Sequence, residues 1–203
     1  MTVSGGNLNL REHHKPYIRD TELAILLGGS ENRVHSWIKR AFQKEELVRL
    51  KRGVYLIDHL PIDAFEIAQH LYGPSYISLE SALSYHGWIP EAVYTTTSVA
   101  TKKSPTIATA IGVFSYEHTP PEQFFMCVEK IDGFLIAHPW KALADYVYVY
   151  RKKWKKLQEM MQDLRIERSS IQSSDRKVLE EIAQYYDSPR VRRFAKQMLK
   201  ELI

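Results

Sequence analysis

The 203-residue chain has a single cysteine, Cys127. That excludes an intramolecular disulfide and every multi-thiolate zinc site, and it fits a reducing compartment. Cys127 itself reads as a small core residue. No stretch approaches the roughly 20 consecutive apolar residues of a membrane span, so no membrane partner is expected. Met1 to Leu10 is polar and Gly-rich rather than basic and then apolar, which argues against a secretory leader and predicts a cytoplasmic protein. P-loop, dinucleotide fingerprint and nucleophile elbow are all missing. Among the histidines, His13, His35, His59, His70, His86, His118 and His138 fall in no ligand spacing of the H-x-x-x-H kind. Neither a metal nor a cofactor is expected. Asp175-Arg176-Lys177 matches the acid-x-Lys half of a common nuclease signature, but 26% of the residues are charged and one such triplet arises by chance. The expectation is a protein that is not an enzyme.

What is present is an ordinary globular composition, 44% hydrophobic, with a formal charge of +4 whose placement matters more than its size. Between Ser30 and Ile57 stand seven bases (Arg33, Lys39, Arg40, Lys44, Arg49, Lys51, Arg52) against three acids (Glu31, Glu45, Glu46). This window alone matches the excess of the whole chain. A second basic run, Arg151 to Lys156, is interrupted by Trp154 and reads as a solvated helix end.

Asp20 is placed to cap a helix over Thr21 to Leu27, with Leu23, Leu26 and Leu27 on one face and Gly28-Gly29 as the stop. Ser30 then caps a second helix of about 14 residues, in which Val34, Ile38, Ala41 and Phe42 recur at the spacing of a buried stripe. Two helices joined by a glycine turn make a helix-turn-helix. Leu47 to Leu50 and Val54 to Ile57 are β-prone runs flanking Lys51-Arg52-Gly53, a hairpin with a basic tip in which Gly53 supplies a positive φ. A helix-turn-helix followed by such a hairpin is a winged helix. Leu8 to His14 is the candidate for the helix that usually precedes the pair.

From Pro61 apolar and aromatic residues rise and the clustered charge disappears, so the predicted division is 1–60 and 61–203. In the second part Asp63 to Leu71 and Leu79 to His86 read as helices, the latter capped by Ser78. Val93 to Thr101, Ile111 to His118, Cys127 to Lys130 and Phe134 to Ala137 read as strands, with Asp132-Gly133 as a turn. A helix opened by Pro139 is predicted to run to about Trp154, Arg168 to Ser174 is predicted as a loop, and two helices close the chain. The predicted fold class is α+β, an N-terminal winged helix-turn-helix followed by a larger mixed domain with strands over 93–137 and helices over 139–203.

On a helical wheel Val34, Ile38 and Phe42 oppose Arg33, Ser36, Arg40 and Lys44. A recognition helix enters the major groove, where arginine binds guanine bidentately and serine serves several base edges, so Arg33, Ser36 and Arg40 are the base-reading candidates. Lys39, Lys44, Arg49, Lys51 and Arg52 suit phosphate or minor-groove contacts, with Asn32 and His35 at the edges and Trp37 in packing. Lys102 and Lys103 follow a strand and are candidates for a second phosphate patch.

The segments Leu50-Lys51-Arg52-Gly53-Val54-Tyr55, Tyr76 to Gly87 (YISLESALSYHG), Thr97 to Lys103 (TSVATKK), Pro120 to Phe125 (PPEQFF) and Ile136 to Asp145 (IAHPWKALAD) together resemble the AbiEi antitoxins and related regulators of viral defence. His138 and Trp140 stand where that family often has a small cap and a Glu. The resemblance implies a winged helix that binds promoter repeats in double-stranded DNA and represses its own operon. It also implies a C-terminal domain needed for antitoxin activity in a type IV toxin-antitoxin (abortive infection) locus, against a nucleotidyltransferase-like toxin. The competing readings are an enzyme acting on nucleic acid through a nuclease-like C-terminal domain, and a protein-binding module.

Overall fold

A computed structural model describes residues 8–58, 60–172 and 175–202. The fold is mixed α+β, with two sheets. The chain divides into two compact units, one built on the residues up to Ile67 together with Ala108–Ile111, the other on Ala68–Ile107 and the chain from Gly112 onward.

The N-terminal unit contains β1 (Tyr17–Arg19), α1 (Asp20–Leu27), α2 (Glu31–Gln43), β2 (Leu47–Lys51) and β3 (Val54–Ile57). In place of the preceding helix expected over Leu8 to His14, Leu10–Glu12 makes one 3-10 turn that buries Leu10. The cause is close by, because Pro16 disfavours a helical Lys15 and turns the chain into β1. That strand pairs antiparallel with β3 at Ile18 and Tyr55, giving the sheet order β1-β3-β2. Helix α1 begins at the expected cap itself: Asp20 is its first residue, Arg19 takes the N-cap position one residue earlier, and Glu22 accepts the Arg19 N–H at 3.1 Å. Gly28 ends it at φ 54°. Ser30 occupies the N-cap of α2 through its backbone, its carbonyl accepting the N–H groups of Arg33 and Val34, without a side-chain bond. At the other end Glu45 takes φ 58°, with Glu45 N–H donating to Phe42 and Glu46 N–H to Ala41 at 3.0 Å. This is a Schellman turn whose left-handed position holds a glutamate instead of the usual glycine. The core beneath gathers Ile18, Leu23, Val34, Trp37, Ile38 and Tyr55.

Helix α3 (Ala64–Leu71) carries the chain out of this unit. Beyond it come β4 (Ser75–Ile77), α4 (Leu79–Tyr85), β5 (Thr95–Ala100), β6 (Thr106–Thr109), β7 (Gly112–His118), β8 (Val128–Ile131) and β9 (Phe134–Ala137). The sheet runs β6-β7-β5-β4-β9-β8. It is mixed: β4 lies parallel to β9 and antiparallel to β5, while β5 lies parallel to β7. The remaining elements are α5 (Pro139–Val149), α6 (Leu157–Leu164), α7 (Arg168–Gln172), α8 (Arg176–Tyr185) and α9 (Pro189–Glu201).

Four expectations for this part are corrected. Ser78 stands at the N-cap of α4, but its hydroxyl donates to Asp145 instead. Thr97 takes over the capping: its hydroxyl accepts the Ser81 N–H at 2.9 Å and donates to the Ser78 carbonyl at 2.8 Å. Helix α5 stops at Val149 rather than near Trp154, since Arg151 adopts φ 55°. The basic run 151–156 is therefore a non-helical connection between α5 and α6, fastened by Lys152 and the Trp154 indole donating to Asp163 at 2.7 and 2.8 Å. Finally, Arg168–Gln172 is a short helix rather than a loop, because Ile171 is drawn into the core at 2% exposure. Ser173 and Ser174 lie outside the described residues.

Candidate nucleic-acid interface

Burial along α2 sets its orientation. Val34, Trp37, Ile38 and Ala41 are buried and Phe42 is half-buried, so at about 100° per residue the outermost ridge runs through Asn32, Ser36, Lys39 and Gln43. Trp37, 6% exposed, turns the inward face toward itself and away from Phe42. Arg33, Arg40 and Lys44 are exposed but lie on the flank of that ridge nearest Trp37. The Arg40 Nε donates back to the Ser36 carbonyl at 3.3 Å. The sequence pattern places Asn32 and His35 at the edges of this face and gives Gln43 no part in it. Only the burial of Trp37, which is ambiguous in sequence, brings Asn32 and Gln43 to the front.

The hairpin is fixed to α2 through aromatic contacts. Phe42 meets Tyr55 edge-on at 5.7 Å between ring centroids, and the Arg49 guanidinium lies 5.9 Å from the centre of the Phe42 ring. Such a cation over an aromatic face contributes about 0.5–1 kcal/mol at an exposed site. The turn Arg52-Gly53 is tied down as well: Asp20 N–H donates to the Gly53 carbonyl at 3.2 Å, and Gly53 takes φ 76°. A Cβ at Gly53 would lie 2.6 Å from the Asp20 carboxylate. Arg49 and Arg52 are exposed and Lys51 is half-buried. Between α2 and the hairpin runs a groove whose lining includes His35, Lys39, Gln43, Arg49 and Arg52 together with the carboxylates Asp20 and Glu31. On the opposite flank Arg40 and Lys44 share a second groove with Glu45, Glu46 and Asp58.

Lys102 and Lys103 stand elsewhere, just after β5. Both are exposed, and the Lys102 ammonium donates to the Gly73 carbonyl at 3.0 Å. Asp175 of the acid-x-Lys triplet caps α8, accepting the Lys177 N–H at 2.8 Å. No group of three or more His, Cys, Asp or Glu placed to hold a metal ion occurs among the described residues. Among the same residues no helix is long and apolar enough to cross a membrane.

The second unit holds a polar cluster that the residue pattern alone did not announce. Lys141 and Asp145, one helical turn apart on α5, are 0% and 1% exposed and form an ion pair. Lys141 donates to the Tyr76 hydroxyl at 2.7 Å, while Tyr76, Ser78 and Tyr186 donate to the Asp145 carboxylate at 2.9, 2.8 and 3.2 Å. Burial, and after it the Asp145 charge, raises both tyrosines well above the usual phenol range, so they stay protonated donors. With no exposed surface on Lys141 the cluster is joinery between β4, α4, α5 and the turn after α8. Its one local sign in sequence is a Lys and an Asp four apart inside an otherwise apolar helix. Near it the Cys127 thiol is pushed up to about 12, by burial first and then by Glu181.

Two histidines are similarly structural. His86 Nε2 meets the Ala137 carbonyl at 3.1 Å, and His138 Nδ1 accepts the Trp140 N–H at 3.3 Å, capping α5. Burial is the largest cause that lowers both imidazoles from their ordinary range, which favours the neutral ring that an accepting Nδ1 requires.

In comparisons with known proteins, the chain matches no known family and none of the curated proteins.

Proposed function

We propose that the protein is a sequence-specific DNA-binding transcriptional repressor whose N-terminal unit works as a winged helix-turn-helix. The observation that carries this reading is the pairing of an exposed, polar and basic face of α2 with a basic hairpin anchored to it through Phe42, Tyr55 and Arg49. A helix of 13 residues is about 20 Å long, enough to lie in a major groove, and the hairpin cations then meet the flanking phosphates. Operator repeats in double-stranded DNA are the proposed ligand, and autoregulation in the cytoplasm the proposed role. With the segment resemblances, the reading extends to an antitoxin, not itself an enzyme, in a type IV toxin-antitoxin locus beside a nucleotidyltransferase-like toxin.

Gel retardation of the upstream promoter fragment at several salt concentrations tests the DNA reading. Expected is specific retardation whose affinity falls with salt by a slope of about −0.9 per phosphate neutralised. Equal binding to unrelated DNA, or none, sinks it. Growth rescue on co-expression with the neighbouring gene product tests the antitoxin role separately, and no rescue would remove it.

A further inference from the structure

We infer that sequence preference is carried by the ridge Asn32, Ser36 and Lys39, whereas Arg33 and Arg40 contact phosphate only; this rests on the DNA reading above. The ridge is the part of α2 diametrically opposite Val34, Ile38 and Ala41, so it penetrates furthest into any groove the helix enters. The two flanks differ in charge. On the Arg40 side, Arg40 and Lys44 share their groove with three carboxylates, Glu45, Glu46 and Asp58. On the hairpin side, Lys39, Arg49 and Arg52 face two, Asp20 and Glu31. A polyanion therefore approaches with the hairpin flank leading, which swings Arg33 and Arg40 outward to the rim. Arg40 is further occupied by its bond to the Ser36 carbonyl.

Within the ridge the chemistry is specific. The Asn32 carboxamide offers a donor and an acceptor side by side, the complement of adenine N6 and N7, and Ser36 can donate or accept. Asn32 to Lys39 spans about 10 Å along the helix, roughly three base-pair steps of 3.4 Å. The ligand is thus a duplex half-site with an adenine facing Asn32 and its other read bases within three steps.

Selection from a randomised duplex library with the full chain decides the matter. Wild type is expected to enrich a short consensus containing an adenine. Asn32→Ala should flatten that position, losing about ten- to hundredfold discrimination, with the salt slope unchanged. Arg33→Ala and Arg40→Ala should keep the consensus and lose affinity uniformly, with a shallower salt slope. All three residues are exposed, so matching unfolding curves are expected for every variant. A consensus untouched by Asn32→Ala, or one relaxed by Arg33→Ala or Arg40→Ala, overturns the assignment while leaving DNA binding intact. Failure of wild type to enrich any sequence overturns it together with the reading beneath it.

Discussion

The two units use charge in opposite ways. In the N-terminal unit the cations of α2, with Arg49 and Arg52 of the hairpin, stand at the surface over a core made almost wholly of apolar side chains. In the C-terminal unit a lysine and an aspartate sit in the interior, ringed by two tyrosines and a serine that satisfy them. Surface charge remains available to a ligand and is nearly neutral for stability, whereas interior charge is held by its partners and sets how the surrounding elements dock. The first arrangement suits recognition and the second suits a single well-defined packing.

The contrast breaks most sharply at Lys141. Lys141→Ala should cost about 3–5 kcal/mol in denaturant unfolding, because it leaves the Asp145 carboxylate buried without its cation. Replacing the pair together, Lys141→Met with Asp145→Leu, should cost less than the two single changes summed, because the double leaves no unpaired charge although the Tyr76, Ser78 and Tyr186 hydroxyls still lose their acceptor. An additive pair of losses would show that the ion pair is not the unit of packing. In the N-terminal unit the sensitive backbone position is Gly53. Gly53→Ala should cost about 1–3 kcal/mol, since a φ of 76° and the Asp20 carboxylate 2.6 Å from the new Cβ both oppose it. Adding Asp20→Ala should recover only the steric share.

A smaller effect separates the units by pH. His138 is harder to protonate in the folded chain than in the unfolded one, whose imidazole titrates near 6.5. Its cap is therefore fully present above about pH 6.5 and is lost as pH falls through the folded value, for about 1 kcal/mol. Glu129 and Asp175 oppose the lowering and set how far below 6.5 that loss falls. His138→Asn, which keeps an acceptor without the titration, should flatten the stability profile between about pH 7 and 5. An unchanged profile would assign the acid sensitivity elsewhere. Smallest of all, Glu45→Gly should stabilise the N-terminal unit by about 0.5–1 kcal/mol, because glycine accepts the left-handed turn more readily. A loss would mean that the glutamate side chain does more than occupy the turn.

Legibility followed the same division. The helix pair, the Gly28 stop, the hairpin and the positive φ at Gly53 are local events, written within a few residues of where they act, and they were readable. So were β5, β7, β8 and β9, as β-prone stretches bounded by turn residues such as Pro120-Pro121 and Asp132-Gly133. What escaped depends on distant partners. β4 is three residues long and is defined by β5 and β9; the Ser78 hydroxyl is claimed by a residue 67 positions away; and the early end of α5 turns on a left-handed arginine that no propensity announces. On the candidate interface the residue types were legible but the rotation of α2 was not, since Trp37 fits either the core or the boundary and only packing decides.

The bond from Asp20 to Gly53 bears on how tightly a hairpin of this kind can hold a ligand. With its turn fastened to the start of α1 and its strand seated on β1, the Arg52 backbone is ordered before anything binds. Association then forfeits side-chain freedom but little main-chain freedom, which in an untethered loop costs about 1–2 kcal/mol per residue fixed. Loosening that tether should therefore weaken binding through entropy, without removing a single contact to the ligand.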